Sequence, residues 1–320
     1  SCTGRCGQNL NSVYTCQCNS HCVSYGDCCH DYAAKCLGGR CDANHDSTKP
    51  CQCNSHCKTY NDCCPDYDQL CGSTDNRITR ITVNYQGKTT TSGTSDAASS
   101  KFFTSVDETV FLNQTNTYYK FIALLNNYNP YIGQSEYISA EEQAEINSFL
   151  DAVMQTEVMS LAYDYLLTNG YTSSKTDFQD QLMELWFNLY SRSSSSSVLD
   201  SSGFEHVLVG EQKSTVSGFH NWIQFYIEEK NNRLNYYGYI SSKEPDIIAA
   251  KFEWNGKMKT KGSFFIGVSP EFDMAIYTLC AMTHPNSICS FTIQGQTIQI
   301  QTWDINHKSG LQIGSAYPIL

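Results

Sequence analysis

Two histidines fourteen residues apart are the residues of this chain best suited to chemistry: His206 in Phe204-Glu205-His206-Val207 and His220 in Ser217-Gly218-Phe219-His220-Asn221-Trp222. Imidazole is the side chain whose ordinary pKa lies near neutrality, so one of the pair can accept a proton while the other gives one. Four of the eight histidines fall in a cysteine-rich stretch at the start of the chain. Only His206 and His220 stand among closely spaced aromatic and glycine residues. A single histidine is more often an ordinary surface or core residue than a catalyst. Two in such a setting fit a reaction that needs both an acid and a base.

Cleavage of RNA is such a reaction, because RNA carries its own nucleophile, the 2′-hydroxyl beside each phosphodiester. A base removes the hydroxyl proton, an acid protonates the leaving 5′-oxygen, and a fixed cation stabilises the phosphorane between them. Lysine suits the third role, as a compact charge beside phosphate oxygens. Lys257, Lys259 and Lys261 alternate along 256–263. On a strand the three share one face, so spacing alone does not choose among them.

The elements that must position these groups fall into two halves. Apolar residues recur at helical spacing in 117–127, 140–168 and 175–190, and Gly170 and the serine run 193–197 end the second and third. Past Gly203 the texture turns strand-like, in 225–227, 236–240, 247–254, 263–268 and 290–303, with Asn231-Asn232 and Asn255-Gly256 as hairpin turn signals. One helix, 270–282, interrupts. Helices followed by antiparallel strands predict an α+β domain over 106–320, with the helical part first and antiparallel sheets carrying the site. Residues 73–105 are rich in Ser, Thr and Gly and read as a flexible linker, with one strand-like run at 78–83 able to dock on a neighbour. Asn113-Gln114-Thr115 is a glycosylation sequon.

Fifteen of the seventeen cysteines lie between Cys2 and Cys71, in two units offset by 35 residues. Cys16-Gln17-Cys18-Asn19-Ser20-His21-Cys22 recurs as Cys51-Gln52-Cys53-Asn54-Ser55-His56-Cys57. Residues 1–37 and 38–72 therefore form two small modules with few aliphatic side chains, held by disulfides at roughly 2–4 kcal/mol each. Adjacent Cys28-Cys29 in so dense a set fits a disulfide knot better than a zinc site, and the compartment is an oxidising one. Cys280 and Cys289 are close enough to pair, and a reduced buried pair fits equally well. His21 and His56 hold equivalent repeat positions and read as solvated loop residues. The start on Ser1-Cys2 reads as a mature N-terminus after secretion, and no apolar run is long enough to span a bilayer, so no membrane partner is expected.

The net charge is −11, with 16 basic and 25 acidic residues in 73–320. Such a balance excludes wide electrostatic capture of a duplex, and leaves room for a small local site on RNA. No EF-hand loop, H-E-x-x-H motif or G-x-S-x-G elbow is present.

The spacing C-x3-C-x9-C-x-C-x3-C-x5-C-C-x6-C over residues 2–36 resembles the somatomedin B module. The family pairing carried over joins Cys2–Cys18, Cys6–Cys36, Cys16–Cys29 and Cys22–Cys28. In the second unit it joins Cys41–Cys71, Cys51–Cys64 and Cys57–Cys63. There Leu37 stands where the first unit has Cys2, which leaves Cys53 without its partner. Such modules bind other proteins or extracellular matrix.

Residues 106–320 resemble the EndoU endoribonucleases, through Gly203-Phe204-Glu205-His206-Val207, Gly210-Glu211, Ser217-Gly218-Phe219-His220-Asn221-Trp222, Phe264-Phe265-Ile266-Gly267 and Ser269-Pro270-Glu271-Phe272. The resemblance puts the catalytic histidines on His206 and His220 and the catalytic lysine on Lys259, with His220 as base and His206 as acid. Glu205 and Glu211 match acidic positions needed for activity, able to orient an imidazole or hold a cation. Ser263 matches a position that contacts uracil, and Tyr317 an aromatic that stacks on the nucleotide. The family implies cleavage of single-stranded RNA at uridines with 2′,3′-cyclic phosphate ends. It also implies activation by a divalent cation, Mn²⁺ or Ca²⁺, whose ligands the sequence leaves unassigned. A secreted monomer is expected. The competing expectation is a non-catalytic extracellular protein acting through its cysteine modules, which the retention of His206, His220 and Lys259 disfavours.

Overall fold

The fold is described from a computed structural model. It covers residues 81–320 except 115, 194, 195, 244, 245, 294 and 306–310, and ahead of them 2, 5, 6, 8, 11, 13, 14, 16–19, 22–25, 27–29, 32, 36, 51 and 52. The chain divides into two compact units, Ser1–Asn76 and Arg77–Leu320.

In the first unit the interior is sulfur rather than hydrocarbon: Cys2, Cys18, Cys22 and Cys29 are buried, with Tyr32 beside them. Disulfides join Cys2 to Cys18, Cys6 to Cys36, Cys16 to Cys29 and Cys22 to Cys28. Its described residues include one short helix, α1 (Cys22–Tyr25), and a bridge between Gln17 and Cys28. Cys51 is buried and disulfide-bonded. The pairings expected for Cys41, Cys57, Cys63, Cys64 and Cys71, and the fate of Cys53, lie outside the described residues.

The second unit begins with α2 (Thr117–Leu124), α3 (Ala140–Val153), α4 (Glu157–Thr168) and α5 (Lys175–Phe187). Each starts on a side-chain cap: Asn116, Ser139, Thr156 and Ser174 accept backbone N–H groups of the first turn, and Ser139 with Glu142 closes a capping box. The periodic run 140–168 is therefore two helices and not one, because Thr156 caps a second start in its middle. Their apolar faces meet in one core that includes Phe121, Phe149, Leu166, Phe178 and Trp186, all fully buried.

Two antiparallel three-stranded sheets follow, β5 (Leu234–Lys243), β6 (Ile247–Trp254) and β7 (Lys257–Phe265), then β8 (Ile288–Ile293), β9 (Gln296–Asp304) and β10 (Ile313–Pro318), ordered β5-β6-β7 and β10-β9-β8. Asn255 and Gly256, both at positive φ, make the β6–β7 turn that the Asn-Gly pair predicts. Helix α7 (Pro270–Thr283) separates the sheets, and a disulfide between Cys280 and Cys289 ties it to β8.

Three expectations are corrected. Residues 225–227 are not strand but part of helix α6 (Trp222–Lys230). Asn221 accepts the N–H groups of Ile223 and Gln224 and starts that helix against the β-branched and aromatic bias of its sequence, and Asn231-Asn232 ends it instead of turning a hairpin. The segment 73–105 is no loose tether from residue 81 onward. Strand β1 (Ile81–Val83) pairs with β2 (Phe103–Val106), Phe102 and Phe103 are buried, and their N–H groups donate to the Glu229 carboxylate at 2.6 and 2.9 Å. The Thr89 and Ala97 N–H groups also bond β5 carbonyls, at a crossing where Gly238 passes so close to the Gly87 carbonyl that a Cβ would lie 1.8 Å from its oxygen. Finally, the alternation that would put Lys257, Lys259 and Lys261 on one face holds from Lys257 to Lys259 and is broken past Lys259. Lys259 faces Phe252 and Gly262 faces Ala250, so three steps along β7 oppose two along β6, a β-bulge that breaks the alternation.

No described helix is long and apolar enough to cross a membrane.

Candidate active site

His206 sits in a π-helical turn, Glu205–Val209, closed by the Gly210 N–H donating to the Glu205 carbonyl at 2.7 Å. Such turns are rare and tend to mark functional sites. The chain then makes a small hairpin, β3 (Glu211–Gln212) with β4 (Val216–Ser217), and returns alongside the turn. The Phe219 N–H donates to the His206 carbonyl at 2.9 Å and the His220 N–H to the Val207 carbonyl at 2.6 Å. The fourteen-residue spacing is thus a hairpin's length, and it brings the two histidines together. Gly218, at φ +62°, passes so close that a Cβ would lie 1.7 Å from the His206 carbonyl oxygen. No other residue fits there without moving the turn that carries His206.

Both rings are held through Nδ1. That of His206 lies 2.6 Å from a Glu211 carboxylate oxygen, and that of His220 lies 2.9 Å from the Ser263 carbonyl. A carbonyl only accepts, so His220 carries its proton on Nδ1 and its Nε2 holds a lone pair when the ring is neutral. Burial first, then the Lys259 ammonium, holds His220 well below the ordinary imidazole value. His206 is lowered by burial and by Arg192, against the opposing pull of Glu211. Burial alone would raise Glu211, but the His206 ring and the Arg192 guanidinium outweigh it and keep the carboxylate ionised.

Arg192 is a residue that sequence reasoning missed. Its Nε lies 3.0 and 3.1 Å from the two Glu211 oxygens, and its Nη1 donates to the Gly314 carbonyl at 2.8 Å. It therefore connects the His206–Glu211 pair to β10, the strand that carries Tyr317. A lone arginine at the edge of a serine run offers no sequence signal of that role.

The histidines open into a cavity of about 490 Å³, lined on one side by Lys259, Lys261 and Ser263 of β7 and on the other by Tyr317 and Pro318 of β10. Burial brings the Lys259 ammonium down to about 8, against the pull of Glu211. Lys257 does not line the cavity, so tertiary structure narrows to Lys259 and Lys261 the choice that spacing left open. The Ser263 hydroxyl donates to the Pro318 carbonyl at 2.6 Å, joining the facing edges of the two sheets. The Tyr317 ring stacks on the His220 ring, 4.8 Å between centroids and 23° from parallel.

Glu205 stands apart. It is fully buried, its two carboxylate oxygens have no hydrogen-bond partner, and burial, then Glu211 and Glu136, push it up to about 10. It is a neutral acid at pH 7 and bonds neither imidazole. Among the described residues the one group of three convergent His, Cys, Asp or Glu donors is Cys2, Cys18 and Cys29, all in disulfides. The acidic residues around His206 therefore do not form a ready cation cage.

The chain matches the family described as Endoribonuclease XendoU over residues 67–318, and the Somatomedin B domain over 1–39 and 34–74. It is 35% identical to a uridylate-specific endoribonuclease of Bos taurus over 99% of this chain and 76% of that protein. It is 40% identical to one of Paralichthys olivaceus over 99% and 93%. Among solved structures it is similar to XendoU, described as a splicing-independent snoRNA processing endoribonuclease, with 37% identity and a TM-score of 0.63 over 76% of this chain and 91% of that one. Histidines brought together by a hairpin and a lysine in the same cavity thus lie in a domain of known lineage: the chain belongs to the XendoU endoribonuclease family, with somatomedin B modules ahead of its enzyme domain.

Proposed function

We propose that this chain cuts single-stranded RNA on the 3′ side of uridines, by attack of the 2′-hydroxyl, leaving a 2′,3′-cyclic phosphate and a 5′-hydroxyl. One observation carries this most: both imidazoles engage the protein through Nδ1, which leaves both Nε2 atoms for the substrate in a cavity that also holds Lys259. Neutral His220 takes the 2′-hydroxyl proton. His206, as imidazolium backed by the Glu211 carboxylate, gives a proton to the leaving 5′-oxygen. The Lys259 ammonium stabilises the charge that gathers on the non-bridging oxygens. An incoming phosphodiester adds negative charge beside His206 and favours its protonated form.

Uridine preference follows from Ser263. Its hydroxyl proton is committed to the Pro318 carbonyl, so its oxygen is left to accept a hydrogen bond. The N3–H of uracil can supply one and the bare N3 of cytosine cannot. Tyr317, stacked on the His220 ring, steadies the general base. A divalent cation, Mn²⁺ or Ca²⁺, enters as an activator that offsets the −11 charge as RNA approaches, and no proton or bond step depends on it. The disulfides need an oxidising compartment, so we read the enzyme as secreted, with its somatomedin B modules as docking sites for an extracellular protein or matrix.

The test is an oligonucleotide with a single uridine. His206→Ala, His220→Ala and Lys259→Ala should each slow its cleavage by about 10²–10⁴ in protein that thermal melts show to be folded. A 2′-deoxyuridine at the scissile position should stop it. Normal cutting of the deoxy substrate would sink the 2′-hydroxyl mechanism.

A further inference from the structure

We propose that Lys261 holds a second phosphate of the RNA, the one next to the scissile phosphate, so that the cavity takes two consecutive phosphates of a single strand. The inference rests on the endoribonuclease reading above. Its grounds are three features of the cavity wall.

The first is position. Lys259 and Lys261 of β7 both line the cavity, while Lys257, nearer the Asn255-Gly256 turn, does not. The second is charge. The chain carries −11 overall, yet no Asp or Glu is among the described residues that line this cavity; its ionisable side chains are His206, His220, Lys259, Lys261 and Tyr317. A polyanion approaching an acidic protein is attracted only where the sign is reversed locally, and this wall is such a place. The third is the state of Lys261 itself. Its side chain is exposed and donates to the Leu320 main-chain oxygen at 2.7 Å, and among the described residues no Asp or Glu side chain pairs with it. An ammonium has three donors, so two are left for phosphate oxygens. Lys230 of α6, by comparison, is taken up by Glu108.

Lys259 and Lys261 then divide the work by burial. Lys259, half-buried beside the imidazoles, faces the reacting phosphate. Lys261, in water at the rim, grips the neighbouring one and acts on affinity rather than on the chemical step.

The experiment compares wild type with Lys261→Gln and Lys261→Arg on UpA, which has only the scissile phosphate, and on ApUpA and UpApA, which add one phosphate on either side. Wild type should cut one of the trinucleotides with a kcat/KM about tenfold above that for UpA, the gain lying in KM. Lys261→Gln should match wild type on UpA and lose that gain, and Lys261→Arg should keep it. The slope of log KM against log salt on the favoured trinucleotide should fall by about 0.7 in Lys261→Gln, the signature of one lost phosphate contact on a single strand. Equal losses on all three substrates, or a lowered melting temperature, would mean that Lys261 serves only to tie β7 to Leu320. No loss on any substrate would equally overturn the subsite. Binding of 2′-deoxyuridine versions by fluorescence anisotropy runs in parallel. If wild type cuts nothing, the endoribonuclease reading fails, and the anisotropy still decides whether Lys261 holds the extra phosphate.

Discussion

Glu211→Gln and Arg192→Met should move the pH profile of cleavage in opposite directions. In the proposed mechanism activity falls as pH rises through the pKa of His206, because the leaving oxygen then lacks its acid. Glu211 raises that pKa and Arg192 lowers it. Replacing Glu211 by its isosteric amide keeps an acceptor for Nδ1–H and removes the charge. Two unit charges about 4 Å apart at an effective dielectric near 20 interact by about 4 kcal/mol, or about 3 pKa units as an upper bound. The falling limb of Glu211→Gln should therefore move acidward by one to three units, on the order of 10- to 10³-fold in kcat/KM at pH 7, and the loss should shrink at lower pH. Arg192→Met removes a repelling cation that lies beyond Glu211, so its limb should move alkaline by about one unit or less. The assay is single-turnover cleavage of a one-uridine oligonucleotide from pH 4.5 to 8.5, with melting curves at each pH, since an unpaired buried partner costs several kcal/mol. Limbs that shift the same way, or do not shift, would refute His206 as the acid tuned by these two residues.

Ser263→Ala should reduce discrimination between uridine and cytidine by about 10- to 100-fold while leaving a uridine substrate cleavable; unchanged selectivity would remove Ser263 from base recognition. Glu205→Gln should stabilise the fold, and more so as pH rises. The folded chain keeps on Glu205 a proton that the unfolded chain loses above 4.5, so between there and about 10 the wild type loses up to about 1.4 kcal/mol per pH unit that the amide does not. Thermal melts of the two proteins that stay parallel from pH 5 to pH 8 would contradict a neutral Glu205. Gly218→Ala should cut activity at least about tenfold, because the added methyl displaces the His206 carbonyl; wild-type activity would show that the hairpin yields without cost.

Much of the fold was legible because local signals agree with the tertiary outcome. The helical runs from 140 and from 175 and the Asn255-Gly256 turn rest on residues close to one another in the chain, and the structure has helices from Ala140 and Lys175 and a turn at Asn255-Gly256. Misreadings arose where a cap or a partner outweighed composition. Trp222–Lys230 has a strand-like run of aromatic and β-branched residues, yet Asn221 starts a helix there whose buried side chains join the core. The segment 81–106 looks like linker because its anchors, Glu229 and the β5 carbonyls, lie more than a hundred residues away.

By itself the sequence singled out the pair His206 and His220, fourteen residues apart, the disulfide character of the first unit and, through family motifs, the lysine to favour. Those properties rest on residue types and short spacings, which the chain carries wherever it folds. Only the tertiary structure decided that Lys259 and Lys261 reach the cavity and Lys257 does not, that Arg192 joins Glu211 to the strand of Tyr317, and that Glu205 is neutral while Glu211 is ionised. Which positions of a strand reach a cavity depends on what packs over that strand, and the charge of a buried carboxyl depends on which cation packs against it. Neither is a property of the neighbouring residues in the chain.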